Sequence, residues 1–185
     1  MAIEKAPYSI IETDGNFEIR EYPTIIVAET TVEGDFEAVG NEGFRRLAAY
    51  IKGNNRTKVA IPMTAPVNQE AGSEKIAMTA PVSQAKEGAK YRITFVMPSR
   101  YSLQNLPEPL DSRVRLIKEP PRRVAVIRYS GTWSKDRYQA NLAKLMEILR
   151  QRNLEPVGNP VWARYDPPFM PWFLRRNEVL VTLER

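Results

Sequence analysis

The densest chemistry in the chain lies near its end, in Tyr165-Asp-Pro-Pro-Phe-Met-Pro-Trp-Phe-Leu-Arg-Arg-Asn-Glu-Val179. Proline fixes φ, so this loop presents Phe169, Met170, Trp172 and Phe173 at little entropic cost. Beside them, Arg175 and Arg176 can pair carboxylates bidentately and stack on aromatic faces. A stiff aromatic loop with two guanidiniums suits a flat apolar ligand with acidic arms. It would serve equally as a plug over one end of a sheet. Glu178 follows. Buried with a raised pKa, it would act with Tyr165 as an acid–base pair for hydrolysis. A salt bridge to Arg175 or Arg176 is the plainer expectation.

Two missing residue types narrow the chemistry further. The 185 residues include no His and no Cys. That removes Ser-His-Asp and Cys-His catalysis, disulfides and thiolate metal sites, together with the usual zinc ligand and the commonest axial ligand of haem iron. A net charge of +5 admits anionic partners. The basic residues nevertheless come as scattered pairs, Arg45-Arg46, Arg122-Arg123 and Arg175-Arg176, without a nucleic-acid motif, and read as solvated surface. No apolar run approaches the roughly 18 residues of a membrane span. Met1–Ser9 lacks the layout of a secretory signal. The expectation is a cytoplasmic protein with no nucleic-acid partner and no membrane span.

The elements that must position the loop are written twice. Ile19-Arg20-Glu21-Tyr22-Pro23 returns as Ile117-Lys118-Glu119-Pro120-Pro121, and each copy leads into an apolar strand, Thr24–Thr31 and Arg122–Tyr129. An amphipathic segment follows each, with Phe44, Leu47 and Ile51 answered at the same offset by Leu142, Leu145 and Leu149. The first helix is predicted from the Gly34-Asp35 turn to about Lys52, with Gly53 as its stop and Phe36, Gly40, Phe44, Leu47 and Ile51 as its buried stripe. The second starts at Ser134, buries Tyr138, Leu142, Leu145 and Leu149, and ends at Asn153. Gly40 and Gly43 each cost about 1 kcal/mol against Ala. Close packing on a sheet explains them better than a flat bed for a planar ligand.

A shorter doublet, Ile61–Val67 and Ile76–Val82, reads as two proline-interrupted edge strands joined by a turn over Asn68–Lys75. Its Met63 and Met78 would line a pocket or, more simply, fill core gaps. Further strands are expected at Phe17–Tyr22, Tyr91–Met97, Arg113–Lys118, Val161–Tyr165 and Glu178–Leu183. Ser99–Ser112 reads as a connector anchored by Tyr101, Leu103 and Leu106. Strands outnumber helices and hairpins outnumber crossovers, so the fold class is α+β with a mainly antiparallel sheet. One domain over 1–185 is expected, with pseudo-repeat halves of about 8–98 and 113–185.

The Tyr-Asp-Pro-Pro…Arg-Arg-Asn-Glu-Val stretch, the Met-Thr-Ala-Pro-Val doublet and the Glu-Tyr-Pro strand closely resemble the SOUL heme-binding protein family, over Tyr8 to Arg185. The resemblance implies duplicated β-α-β-β units forming a distorted antiparallel β-barrel flanked by two α-helices. It also implies non-enzymatic binding of haem or another tetrapyrrole in a shallow apolar groove between the first helix and the closing loop. Carried over, the helix would offer Asn41, Phe44, Arg45 and Ala48, and the loop Tyr165, Phe169 and Met170. Two departures bear on the iron. Some members have a His proposed as axial ligand, and this chain has none; where some animal members place a Lys in the closing loop, it has Met170. Among haem ligands found in proteins, Tyr165 and Met170 are nearest the implied groove. A haem held by its faces and propionates, weakly or not axially ligated, is the matching expectation. The architecture also resembles gyrase-inhibitor-like effector-binding domains, which take amphipathic cations around a buried carboxylate; an inward-pointing Glu178 would be that carboxylate.

Overall fold

Pro23 and Pro121 cannot donate to a strand ladder, and each stands in a two-residue link between strands that do not pair with one another. That constraint shapes the molecule. The computed structural model describes residues 4–57 and 72–184. The first half runs β1 (Glu4–Lys5), β2 (Ser9–Asp14), β3 (Phe17–Tyr22), β4 (Ile25–Glu33), α1 (Phe36–Ile51), β5 (Asn55–Arg56), β6 (Thr79–Ala80), β7 (Val82–Glu87) and β8 (Lys90–Val96). After β9 (Glu108–Pro109) come β10 (Arg115–Glu119), β11 (Arg122–Tyr129), α2 (Lys135–Gln151), β12 (Pro156–Arg164), a 3₁₀ turn at Trp172–Leu174, and β13 (Asn177–Leu183).

Nine strands form one antiparallel sheet in the order β10-β4-β8-β7-β12-β13-β11-β3-β2. Leaving β2 aside, the order is the same read from either end: β10-β4-β8-β7 mirrors β3-β11-β13-β12. The pseudo-two-fold axis therefore passes between β7 and β12. The offset that carries Ile19 to Ile117 carries the pair Glu21–Arg123 onto Glu119–Ile25. The repeat in the sequence is thus a repeat in the register, and the fold is the expected duplicated α+β unit. Each half lends its first strand to the other.

The expected barrel closure is absent: β10 and β2 are free edges of the sheet. The two proline links join β3 to β4 and β10 to β11 across the gap, so the sheet curls without a closing ladder. An Arg122–Glu119 ion pair at 2.9 Å spans one link.

Alternation within the strands sorts the core into three clusters. On β4, Val27 faces the inside of the curl, while Ala28 faces α1 with Leu47, Tyr50, Ile51, Ile93 and Phe95. On β11, Val124 and Val126 face inward, while Ala125 and Ile127 face Leu145 and Leu149 of α2. Both helices thus pack on the outside of one sheet. Their N-terminal ends meet at the axis, where the rings of Phe36 and Tyr138 stack at 5.3 Å and Phe36 stacks on Trp162 at 4.9 Å.

Ser134 caps α2 by accepting from Arg137 N at 3.3 Å, and Asn153 ends it at φ 54°. Asp35 occupies the N-cap position of α1 but its side chain makes no capping bond, and Gly53 follows α1 at φ 122°. The expected strand Ile61–Val67, with Met63, and residues 68–71 of the expected turn lie outside the described residues. The later copy of the doublet is paired only at Thr79–Ala80 and from Val82 onward, with a cis Ala80–Pro81 bond between. Leu106 is fully buried and anchors the connector.

Candidate functional site

At the end of β12, strand alternation places Trp162 and Arg164 on the helix-facing side and Ala163 and Tyr165 toward the inside of the curl. There a cavity of about 150 Å³ opens between α1 and the start of the closing loop. Asn41 and Phe44 of α1 form one wall, Met78–Ala80 and Val82 the floor, and Trp133, Arg164, Tyr165 and Asp166–Pro168 the other wall. Most of the lining is apolar. Phe44 is at the rim, 37% exposed, with its ring 5.5 Å from Phe95. Met78 does both of the jobs weighed for it, lining the cavity and packing against the core below α1.

Of the residues implied by the resemblance, Asn41, Phe44 and Tyr165 line this cavity. Ala48 is buried, facing the sheet one turn further along α1. Arg45 points to solvent and pairs with Glu42 at 2.8 Å. Phe169 is 86% exposed on the loop just past Pro168, and Met170 folds back so that its amide donates to Pro167 O at 3.1 Å. Trp172, Phe173 and Leu174 are also exposed.

The loop's own arginines are already engaged. Arg175 donates to Met170 O at 2.8 Å and Pro168 O at 2.6 Å, stapling the loop into shape. Arg176 pairs with Glu178 at 2.6 Å and donates to Tyr8 OH at 3.0 Å. Glu178, fully buried, also takes a two-pronged contact from Arg20, with both N···O distances 2.8 Å. Arg20 reaches Glu18 as well, at 2.7 Å. The salt bridge to Arg176 was legible from neighbouring residues in the sequence; the one to Arg20 was not.

These pairings decide the protonation states. Burial alone would raise the Glu178 pKa, but the hydrogen bonds and charge of Arg20, with Arg176, outweigh it and hold the carboxyl below its ordinary range. Glu178 is therefore an ionised, doubly neutralised carboxylate. It is neither the protonated acid that hydrolysis would need nor an open anion for a cationic ligand. Burial, then the charge of Glu178, pushes the Tyr165 hydroxyl far up, so it keeps its proton. A neutral phenol is a poor iron ligand.

Arg164 went unmarked in the sequence, and with Trp133 Nε1 and the Tyr165 hydroxyl it is one of three cavity-lining residues with a buried polar atom that has no hydrogen-bond partner. Among the described residues it pairs with no carboxylate, and its Nη2 is fully buried without a hydrogen-bond partner. Its guanidinium is held over the indoles of Trp162 at 4.9 Å and Trp133 at 5.2 Å. Gly40 makes room for it, since a Cβ there would lie 3.0 Å from Nη2. Burial presses its pKa down to about 10, which leaves it charged at neutral pH. Cation–π contacts return about 0.5–2 kcal/mol each, less than the several kcal/mol of desolvating an ion. The Trp-x-Arg spacing on a strand was the available signal, because it sets a cation beside an indole on one face.

A second cleft, about 370 Å³, lies between the N-terminal strand and residues 96–104. It is more polar, and its Glu4 already accepts from Ser99 N at 2.9 Å. Among the described residues no group of three or more His, Cys, Asp or Glu is placed to hold a metal ion, and no helix is long and apolar enough to cross a membrane.

The profile described as SOUL heme-binding protein matches residues 3–182. Heme-binding protein 2 of Mus musculus is 30% identical over 94% of this chain and 85% of its own length. Among solved structures, the EcmrR C-terminal domain superposes with a TM-score of 0.64 at 12% identity, covering 96% of this chain and 98% of that one. A hydrolase from Listeria innocua gives 0.58 at 10% identity, with 94% of each chain covered. At such identities these two show a shared fold alone.

Proposed function

The chain belongs to the SOUL heme-binding protein family, and on that premise we propose that it binds haem or another tetrapyrrole without catalysing a reaction on it. The observation that carries the reading is the family match over residues 3–182, in a chain that has an apolar cavity between α1 and the closing loop. The cavity is smaller than the roughly 300–1,000 Å³ of a fully enclosing small-molecule site. Phe44 at the rim and the Pro167–Phe169 segment opposite it would hold the ring of such a group by apolar contact. The bound group supplies the iron or ring chemistry; the protein supplies contact area and charge.

Iron ligation is weak or absent in this reading. The chain has no His, Tyr165 keeps its proton, and Met170 is not among the residues lining the cavity. A reading as a receptor for amphipathic cations loses Glu178, which Arg20 and Arg176 neutralise, and would rest on Asp166 of the cavity wall, whose Oδ2 already accepts from Arg176 N.

Separate titrations with hemin and protoporphyrin IX, followed by absorbance and by quenching of Trp fluorescence, test this. Both should bind, with affinities within about tenfold, a difference of roughly 1.4 kcal/mol. Tyr165→Phe should leave both nearly unchanged. Binding of neither porphyrin would refute the proposal. A large loss of hemin but not protoporphyrin affinity in Tyr165→Phe would show that the phenol does ligate iron.

A further inference from the structure

We infer that Arg164 is a binding residue that receives a carboxylate of the ligand at the inner end of the cavity, so that the site selects apolar planar molecules carrying an acidic arm. This rests on the tetrapyrrole reading of the same cavity. The other arginines near the groove are accounted for: Arg45 faces solvent beside Glu42, Arg175 holds its own loop, and Arg176 is bound to Glu178. Arg164 alone among these has a buried nitrogen without an acceptor, and it is one of the residues lining the cavity.

The way it is held suits the role. Trp133 and Trp162 lie under the guanidinium carbon, and a guanidinium held by aromatic rings keeps N–H groups for a carboxylate. Trp133 is itself fixed from outside by Arg175, whose guanidinium lies 4.6 Å from its ring centroid. The Gln84 side chain donates to Phe36 O at 2.8 Å, which fixes the amide beside Arg164. The cation is therefore pre-positioned before any ligand arrives. A merely structural arginine would be expected to close an ion pair of its own, as Arg20 does with Glu178.

The test compares protoporphyrin IX and hemin with their dimethyl esters, in matched detergent, on the wild type, Arg164→Met and Arg164→Lys. The wild type should prefer the free acids. Arg164→Met should lose about 30-fold or more in free-acid affinity, the scale expected when one partner of a buried charge pair is removed. Its affinity for the esters should barely move, so the preference disappears; Arg164→Lys should keep part of it. Melting temperature separates the structural alternative, because Arg164→Met should be at least as stable as the wild type once an unpaired buried charge is gone. Should the variant fail to fold, the wild-type preference for acid over ester still decides. An equal wild-type affinity for acid and ester, or an undiminished preference in Arg164→Met, overturns the role of Arg164 while the tetrapyrrole reading stands. A wild type that binds none of the four probes overturns both.

Discussion

Removing one member of a buried ion pair costs more than never having buried the pair, because the survivor keeps its charge without its partner. Glu178 is the acute case, since it serves both Arg20 and Arg176. Glu178→Gln should destabilise the protein by about 3–5 kcal/mol at neutral pH, read from urea unfolding. The pH dependence has a definite sign. The folded-state pKa of Glu178 lies below its unfolded value of 4.5, so its contribution is fully present above that value and is lost as pH falls through the lowered folded pKa. The gap between wild type and variant should therefore be widest at neutral pH and narrow in acid. A gap independent of pH would show that the pairing does not carry the loss. The Arg176 pairing was legible beforehand but the Arg20 pairing was not: Arg20 and Glu178 are 158 positions apart, and an isolated Arg in an alternating strand looks like any solvated one. Arg164 escaped notice for the same reason. A cation's value depends on whether an acceptor is near, and a chain of residues does not say which acceptors will be used up.

At the level of elements, much more could be read in advance. Helical spacing, Ser134 and Asn153 located both helices, because caps and apolar stripes are local. The two glycines of α1 were read as close-packing positions, and the contacts bear this out with a difference between them. A Cβ on Gly43 would lie 2.6 Å from Ile93 Cγ1 and 2.8 Å from Ile93 Cβ, against a β8 residue that has no space to move into. A Cβ on Gly40 would meet side-chain ends rather than a strand, 2.9 Å from Gln84 Oε1 and 3.0 Å from Arg164 Nη2. Gly43→Ala should destabilise by up to about 2 kcal/mol net, overpacking of roughly 1–3 offset by about 1 of helix propensity gained. Gly40→Ala should leave the melting temperature close to wild type but weaken free-acid porphyrins, since it displaces the Arg164 guanidinium. Thermal melts and porphyrin titrations on the two variants check both halves of this contrast. Equal losses of stability would mean that α1 meets the sheet uniformly. What local signals could not supply was strand exchange. The repeat announced two like units but not that β3 would pair with β11 and β10 with β4, because register between distant strands leaves no mark on either strand alone.

That exchange governs the molecule as a whole. Cutting the connector between Ser99 and Ser112 would divide the sequence into the two halves that its repeat suggests. It would also break the β3–β11, β4–β10 and β7–β12 ladders together. Strand β4 would lose β10 and β11 would lose β3, so apolar strands buried on both faces would become edges, which aggregate unless covered. Each half would retain one helix on a remnant of the sheet, with its inward face, Val27 and Val96 in one and Val124, Val126 and Leu180 in the other, opened to water. We therefore expect neither fragment to fold as a monomer, and an equimolar mixture to recover the native far-UV circular dichroism and dispersed amide NMR spectrum. The symmetry adds a finer expectation. Each half carries both kinds of strand that the exchange requires, so a fragment that does fold alone should do so as a dimer, pairing its first strand with the second strand of another copy. A monomeric, cooperatively unfolding half, established by sedimentation equilibrium, would show that the exchange is dispensable and that the halves are domains in their own right.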